Sequence, residues 1–464
     1  MNKTKVKQFP KPLPLKKLIG PSFIILALGL GSGEVILWPY MAANYGLGIA
    51  WGAVLGISFQ FFINMEIERY ALIKGESVFV GINKVFSKAA YWFIASTFIG
   101  FGLPGIIAAS AKVFSHMLGV SDFRFIAIGM LVLIGLILSC GKTVYGMMEK
   151  LTKTIILIGV PFIFVLTIII STKLGWANLF SGLIGMGDNY RFLPAGVSLA
   201  TFLAAFAYSG AGGNLNLTQS IYVKEKGYGM GKYSQKISGL FSKGANEQQI
   251  KLEGEEFEIN KENITNFRKW WKRINLEHLF VFWFIGAISM LLLMLLSYST
   301  TFGVGDNAQG INFVINEGVM IGKQLFPIAG TLFLIVVTVM LFQTQLGVMD
   351  STSRIMAENL AIKKLEKNKK STINLGKVYS IFVWSQVAFG TTLFLIGFYE
   401  PKTLIILGAV INAVAMFVHI GLVSWTNHKV LPKQFRPSIL RKLILLIIFL
   451  FFGFFSTLVL LDKF

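Results

Sequence analysis

Eleven windows of about twenty apolar residues, the length that crosses a bilayer as an α-helix, constrain this chain more than any other feature of its sequence. They cover roughly 18–43, 47–73, 89–115, 123–141, 150–172, 196–223, 278–303, 324–349, 374–398, 402–426 and 440–461. Each is continuously apolar and does not alternate, so each reads as a helix and not as a barrel strand. Only 14% of the residues are charged and the mean hydropathy is +0.67. The expectation is an all-α polytopic membrane protein of about eleven spans, with little chain left for a soluble domain.

The formal net charge of +21 is a matter of topology. With a cytoplasmic N-terminus, most of the 43 lysines and arginines fall on the cytoplasmic side, and only Lys112, Arg124, Lys173, Arg191, Lys323, Lys402 and Lys463 lie outside or near the outer ends. That asymmetry follows the positive-inside rule and places the C-terminus outside. Nucleic acid is excluded as a partner, because the basic residues are spread over many loops and make no single basic face; anionic lipid headgroups suit them better. The expected location is a prokaryotic inner or plasma membrane, with the first span as its own uncleaved signal. A lone Cys140 excludes an internal disulfide and a cysteine metal cluster. None of the four histidines falls in span six, and no Ser-His-Asp or metal-hydrolase spacing occurs, so neither enzymatic chemistry nor a cofactor is expected.

The expected organisation is a cytoplasmic segment over 1–17, a first unit of five spans over 18–172, a second over 196–426, and a last span within 438–464. The second unit carries a cytoplasmic insertion at 224–275. Within it, IKLEGEEFEI alternates around Gly254 as a short hairpin would, and the basic aromatic stretch FRKWWKR suits the inner membrane surface. The charged stretch Arg354 to Lys377 after span eight reads as a solvated helix and linker.

Two spans are built unlike the rest. In LGLGSGEVILWP, Leu28 to Pro39, Gly31, Ser32, Gly33 and Glu34 interrupt an apolar run that has no other charge between Lys17 and Glu66. Span six carries Tyr208, Ser209, Gly210, Ala211, Gly212, Gly213 and Asn214 in succession. Irregular backbone at membrane depth is tolerated only where protein buries it or it lines a cavity. Glycine alone often serves close helix packing, as Gly52 and Gly56 are expected to do. A matched pair of Gly-interrupted spans in corresponding positions of two halves points instead to a solute site at the midplane. Glu34 adds an ionisable group inside the membrane, which marks function by default.

The stretch GPSFIILALGLGSGEVILWPYMAANYG, Gly20 to Gly46, resembles the first helix of the NRAMP family of proton-coupled divalent-metal transporters, and the likeness continues through Trp51, Arg69 and Gly75. The resemblance implies the LeuT-type fold of the amino acid, polyamine and organocation (APC) superfamily: a 5+5 inverted repeat in which spans one and six are broken. The family's metal motifs are replaced. Its Asp-Pro-Gly-Asn corresponds to Gly31-Ser32-Gly33-Glu34, its Met-Pro-His-Asn to Ala211-Gly212-Gly213-Asn214, and no Asp or Glu lies between Lys88 and Asp122 to relay protons as in the family's third span.

The favoured solute is therefore a small amino-acid-like zwitterion or organic cation. Its carboxylate would meet Ser32 and the free amide groups of the GSG turn, its amine Glu34. The alternative is a divalent cation, Mg²⁺ or Mn²⁺, held by the hard oxygens of Glu34 and Asn214; a third reading is a non-transporting sensor or scaffold. Candidates for the pathway or its gates are Glu66 and Arg69 in span two, Gln343, Gln345 and Asp350 in span eight, and Asn412 in span ten. Glu68 and His419 share those settings. Each of these residues also suits a structural bond between helices, Asp350 with Arg354 at i+4 above all.

Overall fold

In the computed structural model, which describes residues 7–15, 18, 20–29, 31–140, 144–235, 248–305 and 307–463, the chain is a succession of α-helices. Span one is split into α1 (Pro21–Gly29) and α2 (Trp38–Tyr45), with a π-helical turn over Gly33–Leu37 between them and a bend of 42°. Span two is α3 (Ala50–Lys74), ended by Gly75 in the left-handed conformation that suits a residue without Cβ. A short helix, α4 (Val78–Val85), precedes span three, which Pro104 divides into α5 (Ala89–Gly102) and α6 (Gly105–Leu118). Then come α7 (Arg124–Cys140), α8 (Val144–Ile170) and α9 (Lys173–Gly182), turned 117° from α8.

The second half opens with span six, α10 (Leu199–Ala207) and α11 (Thr218–Lys226), each nine residues long. Ser198 caps α10 by accepting from the Thr201 amide at 3.2 Å. After the insertion, α12 (Lys261–His278) and α13 (Ile285–Thr301) form span seven, and α14 (Asn312–Gln324) lies in the connection to span eight. The bundle is completed by α15 (Pro327–Lys367), α16 (Leu375–Leu395), α17 (Pro401–Val430) and α18 (Ile439–Lys463).

By length and apolarity alone, seven of the described helices can cross a membrane, or nine if each bent pair is one span. The eleven windows also require the 17-residue α7 and the two halves of span six, which are too short singly to meet that test. Apolar residues such as Leu443, Ile447, Leu450 and Phe454 are exposed along α18, as expected of a face that meets lipid.

The insertion differs from the sequence expectation in two ways. The stretch around Gly254 is not a hairpin. A Cβ on Gly254 would overlap the Lys74 carbonyl, and its amide donates to Glu76 at 3.0 Å, so the segment lies against the end of α3 and pairs elsewhere. The strand Gln248–Gln249 pairs antiparallel with Thr372–Ile373, and Phe257 bridges to Lys7. FRKWWKR does not form a separate surface helix either: it belongs to α12, which runs without interruption into the membrane as one 41-residue helix, Lys261–Thr301. Phe267 and Trp270 are buried, and α12 grips the N-terminal arm instead. Trp270 Nε1 donates to the Pro10 carbonyl at 2.9 Å, Arg273 to the carbonyls of Pro12 and Leu13 at 3.1 and 2.6 Å, and Asn263 accepts from the Phe9 amide at 3.1 Å.

Candidate functional site

The two interruptions meet. A Cβ on Gly29 would stand 2.5 Å from the backbone of Gly210, and one on Gly33 would overlap the Tyr208 carbonyl, so only glycine permits the spans to approach this closely. Gly210, Gly212 and Gly213 all have positive φ, which carries the chain out of α10 and into a 3₁₀ turn over Gly213–Leu217. These close approaches are the reason the glycines occur where they do.

The freed backbone groups are satisfied by neighbours that the sequence pattern did not single out. Gln60 on α3 donates to the Ala207 carbonyl at 3.0 Å and accepts from the Gly212 amide at 3.1 Å. Thr344 on α15 donates to the Ala27 carbonyl at 3.4 Å, and its side chain fills the space beside Gly31. Ser209 accepts from Trp38 Nε1 at 2.9 Å and so ties span six to α2, the second half of span one. Tyr208 accepts from Asn412 Nδ2 at 3.0 Å, and the same amide donates to the Gly100 carbonyl at 3.0 Å, joining spans three, six and ten.

Glu34 is the exception to this satisfaction. It is fully buried, both carboxylate oxygens lack a hydrogen-bond partner, and a Cβ on Gly286 of α13 would stand 3.7 Å from its Oε1. Asn214 turns another way, donating to Ser96 and Thr97 of α5 at 2.8 and 2.9 Å. Its Oδ1, like both oxygens of Glu34, is buried without a hydrogen-bond partner. Among the described residues no group of three or more His, Cys, Asp or Glu could hold a metal. A cavity of about 10 Å³, room for about one water, lies between Tyr208, Gln345, Leu103 and Gly408.

Polar contacts join the helices on both sides of the interruptions. On one side, Lys402 donates to Tyr40 at 3.1 Å and to the Ala308 carbonyl at 2.7 Å. On the other, Glu66 forms an ion pair with Arg69 at 2.7 Å and with Arg441 at 3.2 Å, and accepts from Asn427 at 3.4 Å. Asp350 pairs with Arg354 at 3.0 Å and accepts from Tyr379 at 2.7 Å. Glu66, Arg69 and Asp350 are thus bound into inter-helix networks. Gln343 is buried on the same helix as Gln345, whose Oε1 is unpartnered. His419 is buried in α17 with neither ring nitrogen bonded.

No family model matches the chain, and no curated protein matches it by sequence. Solved structures do match. The Eremococcus coleocola manganese transporter, in complex with an aromatic bis-isothiourea substituted compound, superimposes with a TM-score of 0.69 over 98% of this chain and 90% of its own, at 11% identity. Mhp1, a nucleobase-cation-symport-1 family transporter in a closed conformation with bromovinylhydantoin bound, gives 0.50 over 95% and 86%, also at 11% identity. The chain therefore has the LeuT-type fold with spans one and six broken, in agreement with the resemblance in its first helix.

Proposed function

We propose that this chain is a secondary transporter that moves a small organic solute, a zwitterion or cation with an amine, by alternating access about the two interrupted spans. The segments 18–172 and 196–426 act as the inverted halves. The observation that carries the reading is Glu34: an ionisable group with no partner, buried where two broken helices touch. An unpaired charge inside a membrane is costly, and a cationic solute removes that cost. The GSG turn beside it offers amide groups to the opposite end of a zwitterion. The shared fold with the manganese transporter and Mhp1 supports transport as the activity.

A divalent cation is the second reading, favoured by the likeness to a manganese transporter. Against it, Glu34 would be the lone charged ligand, because Asn214 has only a neutral oxygen to add. A thermal-shift screen of purified protein with amino acids, amines, Mn²⁺ and Mg²⁺ separates the two. Wild-type protein should be stabilised by an amine-bearing solute, with a shift that grows with concentration, and Glu34→Gln should abolish that shift. Stabilisation by Mn²⁺ or Mg²⁺ alone, abolished by Glu34→Gln, would replace the organic solute with the metal.

A further inference from the structure

At the cytoplasmic end of α1 a second polar cluster lies outside the solute site. Ser22 Oγ donates to Glu277 Oε2 at 2.6 Å and lies 2.8 Å from His278 Nδ1. The hydroxyl's own proton is committed to the carboxylate, so Nδ1–H is the donor to Oγ. That leaves Glu277 Oε1 and His278 Nε2, both buried and both without a partner. The imidazole stacks between Phe61 and Phe282, with ring centroids at 5.6 and 4.7 Å. The serine sits between acid and base, so the carboxylate does not orient the imidazole, and the arrangement is not a nucleophile relay.

Three helices contribute charge or polarity nearby. Glu68 of α3 is buried and accepts from Gln219 of α11 at 3.2 Å. Arg441 of α18 reaches only Asn275, two residues before Glu277, at 2.5 Å, and is itself paired with Glu66. Among the described residues no cation bonds to Glu277. The cluster thus holds two acids and one base in an apolar setting, with one free oxygen and one free ring nitrogen.

We propose that Ser22, Glu277 and His278 form a proton-binding site whose occupancy decides whether α1 stays docked on span seven. The motion is available because α1 is nine residues long and ends in the glycine break. The chemistry is a single protonation: a proton from water joins the Glu277 carboxylate, giving the neutral acid, and no other bond is made or broken. The Ser22 hydroxyl then donates to a neutral carboxyl instead of a carboxylate, and a charge-assisted bond is roughly twice as strong as a neutral one. Protonation therefore loosens the latch. The inference deepens the transport reading by naming a coupling ion, and rests on that reading only for what the motion accomplishes.

The test uses full-length protein in lipid nanodiscs, with the hydronium ion as probe and no solute. Infrared difference spectra between about pH 8 and pH 5, the range of physiological switches, report carboxyl protonation. Spin labels at partly exposed Phe23 and exposed Lys367, on a Cys140→Ser background, report the distance from α1 to α15. Wild type should show a protonated-carboxyl band on acidification together with a longer, broader distance. Glu277→Gln should lose the band and hold one distance at every pH. Ser22→Ala should keep the band and lose the distance response, which keeps the proposal testable even if Glu277→Gln does not fold. A band unchanged in Glu277→Gln, or a distance response unchanged in Ser22→Ala, overturns it. A failed solute screen leaves these readouts intact, so the two readings fail separately.

Discussion

Glu66 and Glu34 are both fully buried carboxylates on neighbouring spans, and their surroundings are opposite. Glu66 meets two arginines and an asparagine, and Arg69 in turn lies 3.8 Å over the Trp271 ring and donates to the Phe435 carbonyl at 3.1 Å. Glu34 meets none of these, and neither of its oxygens has a hydrogen-bond partner. A carboxylate whose lone pairs are all used joins helices together. One whose lone pairs are all free is set aside for a partner from outside the chain. Burial by itself does not distinguish the two; the company does.

Four substitutions break or sharpen that contrast. Glu66→Ala leaves Arg69 and Arg441 facing each other without their anion, and removing one side of a buried pair costs about 3–5 kcal/mol. The expected result is a large fall in apparent melting temperature, measured by fluorescence-detected size exclusion after heating; a stability near wild type would show that Glu66 is not structural. Gln60→Met strips partners from the Ala207 carbonyl and the Gly212 amide, each worth about 1–3 kcal/mol when left unsatisfied. A smaller fall should follow in the same assay, and none at all would mean that water or another side chain serves the break.

Glu34→Gln should leave the melting temperature of solute-free protein unchanged or raised, since it removes a charge that nothing compensates. A loss comparable to Glu66→Ala would end the distinction between the two carboxylates. Asp122→Asn should have the smallest effect. Asp122 is partly exposed, and hydrogen bonds from Arg124, at 2.6–3.0 Å, hold its carboxyl below the ordinary range. A group with a depressed value contributes above that range and loses its contribution as the pH falls through it. The substitution should therefore lower the melting temperature near neutral pH, though only slightly because solvent-screened pairs contribute little, and the difference from wild type should vanish on acidification.

The membrane class and the position of both breaks were legible in the sequence because lipid imposes length and apolarity on every span, and because glycine beside a carboxylate violates both. Two parts of the site were not. Gln60 and Thr344 lie in spans with no unusual composition, and their importance comes from standing opposite carbonyls freed more than a hundred residues away. Glu277 and His278 fall at the edge of an apolar window, where a polar pair reads as the boundary of a span. The turn around Gly254 misled for a related reason. Alternation indicates one exposed and one covered face, and says nothing of whether the cover is a second strand or, as here, the end of α3. FRKWWKR likewise advertises an aromatic face without naming its occupant.

The clasp between α12 and the N-terminal arm also bears on biosynthesis. The arm leaves the ribosome first, while its partners Asn263, Trp270 and Arg273 lie some 254 to 261 residues later. At about 5–20 residues per second, roughly ten to fifty seconds of translation separate the two. Span one is thus made with the arm before it still undocked, and five further spans follow before α12 exists. A chain truncated before residue 261 should therefore keep span one but leave the arm without its clasp, more open to proteolysis than in the full chain.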